Sequence, residues 1–353
     1  MSKIKEFLKK KNVNLSLKTY FIDVMGSMAL GLFASLLIGT IFGALGDYTG
    51  IALFSEIKGY AQGATGAALG VSIAYALKAP PLVIFSAAAV GIVGNNLATV
   101  YTLMGEEKAI TAGPAGAFFV AIVAVELGKI VSKETKIDIL VTPIVTILSG
   151  TLIAKLVCPI VAYAMYWMGY FINTATEMQP FIMGVIISVV VGIILTLPIS
   201  SAAICAMIGI SGIAGGAAMA GCCAQMVGFA VISFRENRWG GIVAQGLGTS
   251  MLQMGNIVKK PVIWIPATLA SAITGPVSTM IFKLECNGVS AGMGTCGLVG
   301  PLGAIQAASE KDFTFWIGLL LVAIVLPAIL SILFNEIMRK MGLIKTGDMK
   351  LDL

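Results

Sequence analysis

The chain has 353 residues, of which 58% are hydrophobic and only 11% charged, with a mean hydropathy of +0.97. A soluble domain carries about 25% charged residues, so this composition excludes a soluble enzyme and predicts an all-α polytopic membrane protein. The net charge of +6 does not point to nucleic acid, because the basic residues lie between apolar stretches and act as topology signals.

Residues 1–18 hold Lys3, Lys5, Lys9, Lys10, Lys11 and Lys18, which predicts a cytoplasmic N-terminus. A short amphipathic helix over Ile4–Leu8 would lie along the membrane surface. Phe21–Phe42 is the first predicted span, with Asp23 near its inner end. No cleavage-site pattern follows it closely, so it reads as a retained helix and not a signal peptide. Asp47–Tyr60 is an outer segment, and Ala61–Leu77 is the second span, with Lys78 behind it. Pro80–Tyr101 is the third span, carrying Asn95 and Asn96 towards its outer part. Glu106, Glu107 and Lys108 form an outer loop.

Ala112–Val131 is the fourth span. Glu126 sits near its inner end, where Lys129 or Lys133 can pair with it. Ile137–Tyr170 is too long for one straight crossing, and Pro143 and Pro159 are its expected kinks. Lys155 lies in its middle, buried or snorkelling. After an outer turn at Thr174–Gln179, Phe181–Ile199 crosses back.

Pro198–Phe234 is rich in glycine, alanine and serine. A single crossing would put Arg235 and Arg238 outside; a hairpin or two half-helices would keep them inside, and the charge rule favours the hairpin. Gly240–Met254 is weakly amphipathic. Pro261–Phe282 is long enough to span a core of roughly 30 Å. Behind it come Glu285, Cys286 and Asn287, then Gly288, Gly292, Gly294, Gly297, Gly300 and Gly303. That run is too short and broken to span, and it predicts a second glycine-rich re-entrant hairpin. Irregular backbone at membrane depth survives only where protein or a watery cavity satisfies it. Phe313–Ile337 is the last span. In total the pattern gives eight to ten spans with two hairpins.

Eighteen of the 23 Lys and Arg fall on the inner side of this scheme, four fall outside (Lys58, Lys108, Lys283, Lys311), and Lys155 lies within a span. Both termini are therefore expected in the cytoplasm. The expected organisation is a basic N-terminus over 1–20, one transmembrane domain over 21–338 and a cytoplasmic tail over 339–353. One internal echo is visible: residues 62–67, Gln-Gly-Ala-Thr-Gly-Ala, resemble residues 112–117, Ala-Gly-Pro-Ala-Gly-Ala.

No enzyme motif survives inspection, and no catalytic residue, cofactor or metal is expected. With no histidine in the chain, histidine proton relays, phosphohistidine and histidine metal ligation are excluded within it. The six cysteines form no CxxC, so neither a zinc site nor a redox motif is signalled. Intramembrane polar residues are the informative class, because burying them is costly. The candidates for substrate binding are Glu285, Asn287, Asn95, Asn96, Gln225 and Asn256. Amides with one carboxylate suit a small polar neutral or polyhydroxylated solute. The structural alternative for each amide is an interhelical hydrogen bond. Glu285 has the further alternative of a solvated pair with Lys283.

Asn256, Lys259-Lys260-Pro261 and Ile265-Pro266, placed between the two glycine-rich stretches, resemble the IIC components of the bacterial phosphoenolpyruvate-dependent sugar phosphotransferase system. The stand-alone branch that includes perfringolysin-regulator-like proteins is the most similar. The resemblance covers nearly the whole chain. It implies a homodimer in the cytoplasmic membrane, an elevator-like permease for a sugar-like solute, and separate IIB and IIA partners. This chain lacks the histidine and the Gly-Ile-x-Glu motif of well-studied sugar IIC proteins, and it has no attached IIA or IIB domain. A membrane sensor that keeps the fold without phosphorylation-coupled transport is the alternative.

Overall fold

The computed structural model describes residues 3–13, 19–103 and 106–351. Apart from one two-stranded hairpin, the described residues form helices joined by turns and short irregular links. Among the described residues six helices are long and apolar enough to cross a membrane: Met25–Asp47, Gly113–Val131, Asp138–Thr176, Gly212–Ile232, Pro261–Phe282 and Phe313–Lys340. Shorter apolar helices cover Thr65–Ala76, Pro81–Asn96, Pro180–Thr196 and Cys296–Ala307. The protein is thus an all-α polytopic membrane protein.

Three expected elements differ. The third span stops at Asn96, and its expected continuation to Tyr101 is instead strand Ala98–Leu103, paired antiparallel with Glu106–Thr111. The alternation of Thr99, Val100, Tyr101 and Thr102 suits a strand. Tyr101 fixes the hairpin by donating its hydroxyl to Pro159 O at 2.7 Å. The long fifth element runs beyond its expected end at Tyr170, as one 39-residue helix, Asp138–Thr176, with both expected kink positions, Pro143 and Pro159, inside it. Lys155 is exposed on its surface. Finally, the expected pair of half-helices is unequal: a short Ser201–Met207 helix and a 21-residue Gly212–Ile232 helix.

The chain forms two compact units, one built from Met1–Gly39 with Gly59–Met165, the other from Thr40–Lys58 with Tyr166–Leu353. In the first, the Thr65–Ala76, Pro81–Asn96 and Gly113–Val131 helices meet backbone to backbone. A Cβ on Gly70 would lie 1.9 Å from Ala87 O, and one on Gly116 would lie 2.4 Å from Gly94 O. Where lipid removes the hydrophobic drive between helices, small residues and close approach take its place. The sequence echo has a structural counterpart here. Gly66 abuts Gly91 and Ile92, and Gly116 abuts Gly94, so both copies pack against the same Pro81–Asn96 helix.

One end of this unit is tied by charge. Lys129, 1% exposed, donates to Asn12 O at 2.6 Å and Leu77 O at 3.0 Å, and pairs with Glu126 Oε2 at 3.0 Å. Lys11 meets Ser132 O and Glu134 beside it.

In the second unit the Pro180–Thr196, Gly212–Ile232 and Pro261–Phe282 helices form the buried centre, again through glycine. A Cβ on Gly221 would lie 1.9 Å from Ser188 O, and one on Gly275 would lie 2.1 Å from Gly184 O.

Candidate functional site

The Gly212–Ile232 helix serves as a ruler for the glycine-rich chain beside it. At its start, Gly212 O accepts from Cys286 N at 3.1 Å, and Gly288 N donates to Ile210 O at 2.8 Å. Beyond Lys283, which sits in the left-handed region, residues 284–287 form an irregular link that passes over Gly215 and Gly216. A Cβ on these glycines would lie 1.7 Å from Cys286 O and 1.8 Å from Leu284 O. From there the chain follows the helix downwards. Gly294 lies against Cys222 and Cys223, and Thr295 Oγ1 donates to Gly246 O and approaches Met226 Sδ at 3.7 Å.

Residue 226 lies about 21 Å along the helix from residue 212, at 1.5 Å per residue. The chain then turns back: Gly300 N donates to Gly294 O at 2.8 Å, and Gly303 packs on Ser290 and Cys286. Positive φ at Gly294, Gly297 and Leu298 makes this reversal. The short Ser201–Met207 helix braces it through Ser201 Oγ, which donates to Gly292 O at 2.7 Å. From the opposite end of the helix, the irregular segment Ala244–Gly248 reaches the same tip through Gly246 O. Two broken segments therefore meet at Thr295, deep along a buried helix.

The expected site residues fall into separate places. Glu285 and Asn287 share this link and are both exposed. Among the described residues Glu285 has no hydrogen bond or ion pair, and a pair with Lys283 is not formed. Asn287 Oδ1 accepts from Gly212 N at 3.1 Å, capping a helix that Ser211 does not cap with its own side chain.

Gln225 is fully buried and fully used. Its Oε1 accepts from Trp264 Nε1 at 3.0 Å and Thr196 Oγ1 at 3.4 Å, and its Nε2 donates to Thr268 Oγ1 and Ser271 Oγ. Asn95 and Asn96 belong to the first unit, where Asn95 Nδ2 donates to Asn96 Oδ1 at 2.6 Å. Asn256 donates to Gln253 Oε1 at 2.9 Å and to Lys350 O at 2.8 Å, among the C-terminal residues. Sequence reasoning missed Thr295, although it is a polar side chain between two positive-φ glycines.

The family described as phosphotransferase system, EIIC, matches residues 22–351. The chain belongs to the phosphotransferase-system EIIC family. No curated protein and no solved structure matches it.

This EIIC chain also binds its own C-terminal residues, which the sequence did not suggest. Asn237 Nδ2 and Gln253 Nε2 donate to Met349 O at 2.8 and 3.0 Å, and Leu351 N donates to Asn237 Oδ1 at 2.8 Å. Glu236 pairs with Arg339 at 2.9 Å and accepts from Gly347 N at 3.2 Å, while Lys260 pairs with Asp348 at 2.5 Å. These contacts join Glu236, Asn237, Gln253 and Lys260 to residues between Arg339 and Leu351.

Partial burial raises the Asp348 carboxyl. Hydrogen bonds from Lys260 and Lys345 N, with the charges of Lys260 and Arg339, outweigh it and leave the pKa below the ordinary 3.8. A depressed carboxylate contributes stability above its unfolded pKa, near 3.9, and loses it as pH falls through the folded value. Asp348→Asn should therefore lower thermal stability equally at pH 8 and pH 5, with the difference shrinking as pH falls below about 4 and gone only below the folded pKa. The effect should be no more than about 1 kcal/mol, since the pair is partly solvated. A deficit that grows between pH 5 and pH 8 would contradict this.

Proposed function

We propose that this EIIC protein is the membrane permease component for a small polar, sugar-like solute. It works in the cytoplasmic membrane as a homodimer with both termini inside, and it docks separate IIB and IIA proteins at the face bearing its C-terminus. The observation that carries the reading is the meeting of two irregular, glycine-rich segments at Thr295. Such backbone at membrane depth is tolerated where it lines a cavity, and broken elements of this kind are where transporters place their substrates. Family membership supports the same reading. The Gly288–Gly303 run is taken to be re-entrant, and the Lys and Arg distribution supports a cytoplasmic C-terminal face.

Glu285 is the proposed solute ligand, with Asn287 beside it. It is a carboxylate with no partner among the described residues, held on rigidly pinned backbone. Asn287, Gln225 and Asn256 already spend hydrogen-bonding capacity on the protein. Of these, Asn287 retains its amide donors, and only it lies next to Glu285.

The test is uptake of a panel of radiolabelled mono- and disaccharides into proteoliposomes, with and without the partner proteins. At least one sugar should accumulate. Glu285→Gln should keep the fold and weaken binding by about 1.5–3 kcal/mol, the loss of one charge-assisted hydrogen bond. That is roughly ten- to a hundredfold in Kd. An unchanged Kd in the Gln variant would remove Glu285 from the site. Saturable binding without any uptake would favour the sensor.

A further inference from the structure

We propose that residues 344–351 act as a releasable strap. They hold the 234–260 segment in place, and through it they hold Gly246 against the Thr295 tip. The strap is recognised through its main chain. Asn237, Gln253 and Asn256 bond to the carbonyls of Met349 and Lys350 and to the amide of Leu351. Two apolar anchors, Ile344 and Met349, are 2% and 0% exposed. Lys260 meets Asp348, and Gly347 N donates to Glu236.

The strap has no helix or strand of its own. It begins just past Gly342 and contains Gly347, both at positive φ. Most of its hydrogen bonds therefore run to the 234–260 segment.

That segment is in turn poorly organised by itself. It has a break at Arg238 with φ 51° and ψ −148°, a π-turn over Ala244–Gly248 and a single 3-10 turn over Ser250–Gln253. Its buried amides depend on the strap and on each other: Gln253 Nε2 bridges Gln245 Oε1 and Met349 O, and Asn256 Nδ2 bridges Gln253 Oε1 and Lys350 O. Removing the strap leaves these donors without their main-chain acceptors. The path from Met349 through Gln253 and Gln245 to Gly246 and Thr295 is continuous.

The consequence for transport rests on the permease reading, so the experiment has two readouts. Hydrogen exchange is measured on the full-length protein in nanodiscs, on a chain ending at Gly342, and on Met349→Arg, which removes only the buried anchor. Exchange over residues 234–260 should rise at least tenfold in both variants, while Pro180–Thr196 stays within twofold. A change under twofold over 234–260, or an equal rise throughout the unit, would overturn the strap.

The second variant is Asn237→Cys with Leu351→Cys, oxidised with copper-phenanthroline. The native cysteines are all buried, so this pair alone should close. The closed form should lose sugar uptake at least tenfold and regain it with reductant. Full uptake in the closed form would overturn release as a step in transport. If the unmodified protein takes up no sugar, the permease reading fails, and the exchange data still decide the strap.

Discussion

Gly216→Ala and Gly215→Ala should each prevent the protein from reaching its native state. The added methyl would sit 1.8 Å from Leu284 O in the first case and 1.7 Å from Cys286 O in the second. Neither obstacle is a side chain that can rotate away. Each is a carbonyl in a link fixed on both sides, by Leu284 N to Ser278 O at 3.0 Å and by Cys286 N to Gly212 O at 3.1 Å. Overpacking a well-filled site costs about 1–3 kcal/mol where neighbours can adjust, and more where they cannot. We expect more than about 3 kcal/mol here, seen as loss of the monodisperse peak in detergent and of the cooperative melt. Gly59→Ala is the control. Gly59 is also helical, yet nothing lies within 4 Å of its missing Cβ. There alanine should be neutral or stabilising by up to about 1 kcal/mol, the helix-propensity difference. A Gly216→Ala protein that melts like its parent would show that the 284–287 link is not seated as described.

The sequence could anticipate these glycines as a group but could not separate 216 from 59. A glycine in an apolar helix has the same local signature whether it faces lipid or another backbone. Much else was legible for definite reasons. Composition gave the membrane class, because burying apolar helices in lipid leaves no room for ordinary charge density. The charge distribution predicts Arg235, Arg238, Lys260 and the C-terminal residues on the inner side; of these, Arg235 pairs with Glu336 and Lys260 with Asp348. The offered pairing of Glu126 with Lys129 follows from i,i+3 spacing on a helix, and it is formed.

Other features were not legible. The Ala98–Leu103 strand was absorbed into the preceding span because Ala98, Val100 and Tyr101 extend the apolar run of the helix before them. Asn256 was read as a ligand-binding amide because nothing in sequence marks its partner. Its acceptor is the main-chain carbonyl of Lys350, 94 residues away, and every residue type supplies such a carbonyl. For Gln225 the partners were polar residues on two other helices, Thr196 on one and Trp264, Thr268 and Ser271 on the other. Only their folding together shows that its four hydrogen-bonding positions are filled. The meeting at Thr295 likewise joins two segments that are far apart in sequence and each without periodicity.

Lys129→Met should be the most damaging single change in the first unit outside the glycine contacts. The ammonium donates to Asn12 O and Leu77 O and pairs by charge with Glu126 Oε2. The lysine thus ties the N-terminal segment and the end of the Thr65–Ala76 helix to the Gly113–Val131 helix. Methionine fills the space of the stem but leaves Glu126 buried, with only the Tyr20 hydroxyl donating to Oε1 at 3.2 Å. It also strips a donor from Leu77 O. Breaking a buried pair by removing one partner costs about 3–5 kcal/mol, because the remaining charge stays desolvated. Glu126→Gln should cost less, since the ammonium keeps two carbonyls and the amide oxygen can still accept. The double variant Lys129→Met, Glu126→Leu removes both charges, and replacing a buried pair with apolar residues is often close to neutral. It should therefore be more stable than Lys129→Met alone, an order that a simple loss of packing would not produce. Thermal melts of the four proteins in one detergent decide it. A double variant no more stable than Lys129→Met would mean that the lost carbonyl contacts, and not the stranded carboxylate, carry the cost.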